Sequence, residues 1–399
     1  MAERNFLLAA GMWLACAGAA LAQGLSPAEI PQALSEAQQV EFRAKRTGLD
    51  KRRAQLGSTV SSHNARCRGL SEGSPLAAEC RTAQLELNAS VAGYGTAVAE
   101  FNRDLAKAQE IQRTAPAFDL QGHRGARGLA PENTLAAFAA ALTLGVTTLE
   151  VDTGITKDGV VVVYHDRTLN PDITRGPDGK WLAQRGPALN TLDYAELARF
   201  DVGRLRAGSD YAKPLDAQKP ADGARIPRLA EVFALARQAG NERVRFNIET
   251  KLSPQAPGET LPPEEFARAV VAEIRKAGIA ARASIQSFDW RTLAVVQAEA
   301  PEIATVHLTG TKFANAPNRV KQAGGKIWSP YFLELDIEKI KEARALGLQV
   351  VPWTVNEPLQ IAVMLELGVD GIISDRPDLV RAEMQRRGMD LPAATPLSP

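Results

Sequence analysis

The segment that decides the fold is 118-FDLQGHRGARGLAPENTLAAFAAALTLGVTTLEVD-152. It begins with a short apolar run, passes through a glycine-containing loop into an alanine-rich stretch of helical length, and ends in a second apolar run. This order predicts a strand, a helix and a second strand, which is the βαβ unit of a parallel sheet. The loop after the first run lacks the glycine fingerprint of dinucleotide-binding enzymes, which argues against that class.

Strand-like runs continue to alternate with amphipathic helical stretches through the rest of the chain. The predicted helices include Thr134–Leu144, Leu229–Ala239, Pro263–Ala277 and Ile337–Leu346. The predicted strands are Phe118–Gly122, Thr148–Asp152, Val160–Tyr164, Val244–Glu249, Ala283–Gln286, Ile303–Leu308, Lys326–Trp328, Leu348–Trp353 and Asp370–Ser374. The alternation over residues 116–391 predicts the α/β class and a (β/α)8 TIM barrel rather than an open sheet. We expect Val160–Tyr164 to add a hairpin and Leu189–Ile226 to be an insertion at the barrel mouth.

A different pattern precedes the barrel, because residues 23–115 contain no strand-like run. One stretch has apolar residues alternately four and three positions apart, as in a helix with a single apolar seam. These residues are Leu87, Val91, Tyr94, Val98, Phe101, Leu105 and Ala108. An earlier charged stretch repeats Phe42, Leu49 and Leu56 less regularly. We therefore predict an antiparallel helical hairpin, for which packing on the barrel, dimerisation, partner binding and a purely structural role are all open.

The first 22 residues have the features of a cleavable signal peptide. Arg4 precedes a short apolar stretch, Phe6–Leu14, and Ala20-Leu21-Ala22 provides a small-x-small cleavage motif. The apolar stretch is shorter than the ~20 residues that span a membrane, so we expect no stable membrane insertion. These features predict a periplasmic or secreted protein. Lipid attachment at Cys16 is the alternative.

Cleavage after residue 22 would leave two cysteines, Cys67 and Cys80, on either side of the predicted hairpin turn. An even pair in an oxidising compartment predicts a disulfide, which would stabilise the fold by ~2–3 kcal/mol. Two unpaired cysteines are the alternative.

At the other end of the chain, residues 392–399 are expected to form a disordered tail.

The composition is that of a globular protein, since 45% of the 399 residues are hydrophobic and 23% are charged. These proportions exclude wholesale disorder. The chain has 47 Lys+Arg against 46 Asp+Glu and a formal net charge of +1. Because no overall field would attract nucleic acid or an anionic membrane, we expect no nucleic-acid partner.

Ionisable residues follow or end most of the predicted strands, and in a (β/α)8 barrel the carboxyl ends of the strands form the active site. Glu150 and Asp152 are two residues apart on one strand, so they share a face, and Glu249 ends the next barrel strand. Three neighbouring carboxylates would repel each other unless a cation lay among them, and oxygen ligands favour Ca²⁺ or Mg²⁺ over zinc. Neutralisation by Lys251 and Arg124 is the alternative.

Two of the four histidines, His123 and His165, lie at strand ends beside this acidic cluster. A pair of imidazoles can act as complementary base and acid in phosphoryl transfer. Arg124 and Lys251 would supply fixed positive charge for a phosphate. The other two, His63 and His307, are predicted to be structural.

Eight motifs in order resemble the signature of the glycerophosphodiester phosphodiesterase family, from about Asp119 to Leu379. The motifs are 122-GHRG-125, 131-PENT-134, 150-EVD-152, 156-TKDG-159 leading to 165-HD-166, 247-NIETK-251, 286-QSF-288, 353-WTVN-356 and 370-DGIISDRP-377. Two features depart from the family pattern. Residues Leu169–Thr174 replace the usual Leu-x-Arg-x-Thr after the His-Asp pair, and the Leu189–Ile226 insertion is expected to shape the leaving-group pocket.

The resemblance implies a TIM barrel that hydrolyses glycerophosphodiesters to sn-glycerol 3-phosphate and an alcohol, using one divalent cation, Ca²⁺ or Mg²⁺. It implies that a glycerol hydroxyl attacks the phosphorus and that water opens the resulting cyclic phosphate. The residues implied are Glu150, Asp152 and Glu249 as metal ligands, His123 and His165 as catalytic residues, and Arg124, Lys251 and Trp353 at the substrate. Asn133 is assigned a structural role, as are Cys67 and Cys80, which lie outside the segment that resembles the family.

Two alternative functions remain open at this point. A phospholipase D-like or phosphatidylinositol-cleaving enzyme of the same fold would need an exposed apolar ring or a basic patch around the barrel mouth, and the sequence has no obvious run of either. A non-enzymatic envelope binding protein would be favoured by the loss of a histidine or a carboxylate ligand, yet all of these residues are present.

Overall fold

The structure is a computed structural model that describes residues 24–30, 36–71, 73–114 and 117–396. The chain divides into two compact units, Met1–Ala115 and Pro116–Pro399. The predicted signal peptide, residues 1–22, lies outside the described residues. Among the described helices, none is long and apolar enough to cross a membrane.

The N-terminal unit is the predicted helical hairpin. Its two helices are α1, Glu36–Cys67, and α2, Pro75–Thr114. The predicted seam of α2 is buried at Leu87, Val91, Tyr94, Val98, Phe101 and Leu105, which confirms the prediction for these six residues. Phe42 of α1 packs edge-on against Phe101 of α2, with ring centroids 5.9 Å apart. Cys67, the last residue of α1, is joined by a disulfide to Cys80 in the second turn of α2.

The second unit is a parallel barrel with one added hairpin strand. Its strands are β1 Asp119–Gly122, β2 Thr148–Ile155, β3 Val161–Val163, β4 Arg245–Thr250, β5 Ala283–Ser287, β6 Ala304–Thr309, β7 Ile327–Pro330, β8 Gln349–Val350 and β9 Gly371–Ser374. The spatial order is β8-β7-β6-β5-β4-β2-β1-β9, all parallel, and β3 pairs antiparallel with β2. Backbone hydrogen bonds from Asp370 N to Val350 O and from Ile373 N to Pro352 O complete the ring.

Helices connect the strands on the outside of the barrel. They are α3 Leu135–Leu144, α4 Tyr194–Leu197, α5 Leu229–Gln238, α6 Pro263–Ala277, α7 Trp290–Glu299, α8 Ala316–Gln322, α9 Ile337–Ala345, α10 Pro358–Leu367 and α11 Pro377–Arg386. Helix α6 illustrates why they form, because Phe266, Val270 and Ile274 recur four positions apart and are buried. Gly278 then ends α6 with a left-handed backbone, φ 70°.

The observed strand end differs most from the predicted end at two strands. We expected the second strand to end at Asp152, but β2 continues to Ile155 because its outer half pairs with β3. Glu150 and Asp152 therefore lie within a strand that is buried along its whole length. Within the predicted strand Leu348–Trp353, only Gln349 and Val350 pair with β7 as a regular strand. The residues after Val350 are held by individual backbone hydrogen bonds.

The region between β3 and α5 is a largely irregular insertion with its own small core. It contains α4 and two single 3₁₀ turns, Leu189–Thr191 and Lys213–Leu215. Val162 of β3 packs in this core with the buried insertion residues Tyr164, Leu169, Ile173, Leu189, Leu197, Val202 and Ile226. The chain's last described residues also make contacts, since Thr395 N donates to Leu142 O at 2.9 Å.

We expect the Cys67→Ser and Cys80→Ser double variant to lower the free energy of unfolding of the hairpin by ~2–3 kcal/mol, because the bond restricts the unfolded chain. Thermal unfolding of the whole protein followed by helical circular dichroism, with and without reductant, measures this change. Reductant should destabilise the wild type and leave the double variant unaffected. Two free thiols in a non-reducing peptide map of the native protein would contradict the prediction.

Candidate active site

Three carboxylates from two adjacent strands meet at the carboxyl end of the barrel. Asp152 of β2 is in register with Glu249 of β4, and Glu150 lies two residues earlier on the same face of β2. All three side chains are buried, and oxygen atoms of the three carboxylates lie within 4.8 Å of one another. The structure therefore brings together the predicted acidic cluster, which we call the carboxylate cluster.

The carboxylate cluster cannot carry full negative charge without compensation. Burial and the charges of its two neighbours raise the pKa of Glu150 well above its usual value. Burial also raises the pKa of Glu249 to about 7, despite the nearby ammonium of Lys251. Burial alone would raise the pKa of Asp152. The positive charge of Lys251, with smaller contributions that include Arg124, outweighs the effect of burial and lowers the pKa of Asp152 well below its usual range. A bound cation would favour the ionised form of all three.

The residues present fit a hard divalent cation. Oδ1 of Asp152 is buried and accepts no hydrogen bond among the described residues, and the ammonium of Lys251 lies 3.5 Å from it. Lys251 also pairs with Glu249 at 2.8 Å. Arg124 lies 3.1 Å from the other oxygen of Asp152, but its charge is shared with Glu132. The two cations thus neutralise the carboxylate cluster only partly, and an all-oxygen donor set with an unused oxygen suits Ca²⁺ or Mg²⁺.

Glu150 is held at both carboxylate oxygens. Nε2 of Gln286 donates to Oε1 at 2.7 Å, and the backbone N–H of Arg124 donates to Oε2 at 2.7 Å. Behind Gln286, an amide row continues through the barrel interior. Asn247 donates to Gln286 at 2.8 Å and to Gln121 at 2.9 Å.

The loop after β1 is shaped by its glycines and by an asparagine. A Cβ at Gly125 would lie 2.6 Å from the backbone of Ala137, so only glycine fits between this loop and α3. Asn133 has a left-handed backbone, φ 55°, which asparagine adopts more readily than most residues. Its side-chain amide donates to Asp152 at 2.9 Å and accepts from the backbone N–H of Asp152. Asn133 therefore orients one member of the carboxylate cluster.

Each predicted catalytic histidine contacts an aspartate through Nδ1. Nδ1 of His123 lies 2.6 Å from Asp375, and Nδ1 of His165 lies 2.7 Å from Asp166. Burial alone would raise the pKa of each aspartate. Interactions with the imidazoles instead lower it, well below the usual value for Asp375 and to about 2 for Asp166. Because ionised aspartates can only accept, Nδ1 is the donor in both pairs and Nε2 is the free acceptor.

The environment disfavours the protonated form of both imidazoles. Burial, followed by the charges of Arg124 and Lys251, lowers the pKa of His165 to about 4. Burial also lowers the pKa of His123, and Arg124 contributes in the same direction. Nε2 of His123 lies 4.0 Å from Glu150, so its free nitrogen is next to the carboxylate cluster.

Arg124 lies in a buried network that the insertion completes. Its Nη1 donates to Glu132 at 2.8 Å and to the hydroxyl of Tyr211 at 3.0 Å. The Tyr211 hydroxyl in turn donates to Glu132 at 2.7 Å, while the guanidinium of Arg127 lies over the Tyr211 ring at 5.0 Å. Gln218, also in the insertion, donates to the backbone carbonyl of Arg127 at 2.7 Å. Hydrogen bonds from the insertion therefore hold in position the loop that carries His123 and Arg124.

The remaining predicted residues have distinct positions. Trp353 follows β8, where its indole N–H donates to Ser329 O at 3.1 Å and its ring packs against Phe288 and Tyr331. His307 lies buried in β6, with its ring 4.9 Å from that of Trp290.

Sequence reasoning assigned no site role to four residues that complete this constellation: Asp375, Asp166, Glu132 and Tyr211. Asp375, Asp166 and Glu132 belong to the motifs described above, so their positions next to the assigned residues could have identified them. The sequence around Tyr211 offers no such signal, because Tyr211 lies in an irregular insertion whose contacts depend on tertiary folding.

Ionisable side chains gathered at the carboxyl end of a parallel barrel define the class as a (β/α)8 enzyme. The Glycerophosphoryl diester phosphodiesterase family profile matches residues 123–379. The chain therefore belongs to this family and is a phosphoric diester hydrolase.

Individual proteins show the same similarity. A glycerophosphodiester phosphodiesterase from Bacillus altitudinis is 32% identical over 268 residues, covering 66% of this chain and 98% of that protein. One from Caldanaerobacter subterraneus subsp. tengcongensis is 29% identical over 256 residues, covering 64% of this chain and 93% of that protein. A solved structure from Silicibacter pomeroyi DSS-3, described with the same family name, has 35% identity and a TM-score of 0.66 over 69% of this chain and 96% of its own.

We expect Tyr211→Phe to lower kcat/KM for a glycerophosphodiester about tenfold, because it removes the hydroxyl that bonds Glu132 and Arg124 while keeping the ring beside Arg127. Steady-state kinetics measure the change. Tyr194→Phe is the matched control, since this tyrosine lies in the same insertion but bonds Glu231 at 3.3 Å. Equal losses in the two variants would show a general effect on the insertion instead of a specific effect on Arg124.

Proposed function

We propose that this enzyme hydrolyses glycerophosphodiesters to sn-glycerol 3-phosphate and an alcohol, with one Ca²⁺ or Mg²⁺ held by Glu150, Asp152 and Glu249. The observation that carries the proposal is the carboxylate cluster with two His–Asp pairs beside it. The names of the relatives support the substrate class. When bound, the cation would stabilise negative charge on the phosphoryl oxygens.

His123 and His165 act as the general acid and base. Each has a free Nε2, because its Nδ1–H is taken by an aspartate. One imidazole accepts a proton from the attacking hydroxyl, and the other, when protonated, donates a proton to the oxygen of the leaving alcohol. Asp375 and Asp166 stabilise the imidazolium in each case and hold the rings in one orientation.

The nucleophile of the first step is the glycerol 2-hydroxyl of the substrate. Its oxygen forms a bond to phosphorus, its proton goes to one imidazole, and the P–O bond to the alcohol breaks as the alcohol oxygen gains a proton. Water then opens the cyclic phosphate to give sn-glycerol 3-phosphate. An internal hydroxyl is favoured because it is held next to the phosphorus at high effective concentration.

Arg124, Lys251 and Trp353 position the substrate. Lys251 lines a cavity of about 610 Å³ that reaches His165 and Glu249, and this cavity can hold the alcohol. Arg124 and Lys251 offset the charge of the phosphate. Trp353 packs against Phe288, which lines the same cavity as Lys251. We also propose a periplasmic or secreted location, supported by the disulfide and by the signal-like composition of residues 1–22.

Removal of divalent cations should abolish activity, because the carboxylate cluster would lose its charge compensation and the phosphoryl group its stabilisation. Release of glycerol 3-phosphate from glycerophosphocholine should fall to background after exhaustive EDTA treatment and dialysis. Added Ca²⁺ or Mg²⁺ should restore it, while Na⁺ at the same ionic strength serves as the control. Full activity in the chelated protein would refute a metal mechanism.

His123→Ala and His165→Ala should each lower kcat by ~10²–10⁴, because each removes one proton-transfer group. The matched control is His307→Ala, a histidine of the same barrel that lies buried in β6 outside the site. Metal binding measured by calorimetry should survive in both active-site variants. Near-normal turnover in either variant would remove that histidine from the mechanism.

A further inference from the structure

The first helix of the N-terminal hairpin carries a dense run of positive charge. Residues 41–53 of α1 contain six basic side chains against two acidic ones, a net charge of +4, whereas the whole chain has a net charge of +1. Arg46 is half-buried and donates to the backbone carbonyl oxygens of Ser26 and Ala28. The other five basic side chains are exposed, and we call them the basic segment: Arg43, Lys45, Lys51, Arg52 and Arg53.

Little of this positive charge is neutralised within α1. Among the described residues, Lys45 is the one member of the basic segment that forms an ion pair, with its ammonium 2.7 Å from Glu41. Lys51 and Arg53 make neither an ion pair nor a side-chain hydrogen bond to any described residue. Their charged groups are therefore available to an external partner.

The facing part of α2 does not neutralise the basic segment either. Phe42 of α1 packs against Phe101 of α2, and Nη2 of Arg52 lies 3.5 Å from the backbone oxygen of Ser90. These two contacts place the basic segment beside the middle of α2, where residues 87–99 contain no Asp, Glu, Lys or Arg. The hairpin therefore has a local positive field, although the chain as a whole is almost neutral.

The side chains around the basic segment are suited to a broad anionic surface. The described hairpin has three Phe, Tyr or Trp residues, and all three are buried or half-buried, so none is free to stack on a nucleic-acid base or to fill a pocket of a protein partner. The exposed residues of the uncharged stretch are small: Ala89, Ser90, Ala92, Gly93, Thr96 and Ala99. Long cationic side chains beside small neutral ones match the diffuse negative charge of lipid head groups.

We propose that the basic segment binds the protein peripherally to the surface of anionic phospholipid membranes. The ammonium and guanidinium groups lie near the lipid phosphates, and each contributes about fivefold to the binding constant. A membrane is also the source of the proposed substrate, because a glycerophosphodiester is what remains when both acyl esters of a glycerophospholipid are hydrolysed. This last point alone rests on the proposed function.

The test measures co-sedimentation of the whole protein with vesicles of phosphatidylcholine, either pure or with one quarter replaced by phosphatidylglycerol. We expect binding to the anionic vesicles only, and we expect it to weaken as the ionic strength rises, because salt screens exposed charges. The triple variant Arg43→Gln, Lys51→Gln and Arg53→Gln should bind the anionic vesicles about a hundredfold more weakly.

The matched control is the triple variant Arg81→Gln, Arg103→Gln and Lys107→Gln. It lowers the charge of the same hairpin by the same amount, but its three residues lie in parts of α2 that also contain acidic residues. Its binding to anionic vesicles should fall less than tenfold. Circular dichroism should show the same helix content in both variants and in the wild type.

The remaining outcomes separate this inference from its alternatives. Equal binding to neutral vesicles, equal losses in the two triple variants, or wild-type binding that is insensitive to salt would overturn the inference. Tighter binding to a DNA duplex than to anionic vesicles would assign the basic segment to nucleic acid instead.

Turnover of glycerophosphocholine without vesicles should be the same in the wild type and in both triple variants. Its loss in the first variant alone would show that the basic segment acts on the barrel, and would also overturn the inference. Absence of turnover in all three proteins with metal present would overturn the proposed function and leave the membrane-binding result unaffected.

Discussion

The burial of three carboxylates within 4.8 Å of one another is the constraint on which the rest of the active site depends. Such a cluster is strongly destabilising unless its charge is offset and its oxygens are hydrogen-bonded. Lys251 and Arg124 provide part of the charge, while Asn133 and Gln286 provide directed hydrogen bonds. These residues come from the loop after β1, the end of β4 and strand β5, so three parts of the barrel are held by the same electrostatics that make a cation site possible.

The residues that orient the catalytic groups come from distant parts of the chain. Asp375 is 252 residues from His123, yet the neighbouring positions of β9 and β1 bring the two together. Tyr211 reaches Arg124 from an insertion that the barrel itself does not need. The site is therefore assembled by closure of the barrel and by docking of the insertion, and neither process depends on local sequence alone.

Much of the fold was predictable, because short apolar runs and four-residue spacings report directly on strands and helices. The carboxylate cluster was predictable for a similar reason, since Glu150 and Asp152 are two apart and their strand pairs with that of Glu249. The extension of β2 to Ile155 was missed because it depends on pairing with β3. Tyr211 was missed because a residue in an irregular segment has no periodic neighbour that would reveal its side-chain direction.

The amide row inside the barrel donates outward in both directions from its centre. Asn247 is the central donor, and each glutamine that accepts from it donates outward to a carboxylate: Gln286 to Glu150 and Gln121 to Asp119. The side-chain dipoles are thus aligned with their positive ends toward the anions at the two openings. These oriented amide dipoles stabilise the negative charge of Glu150 before any ion or substrate binds.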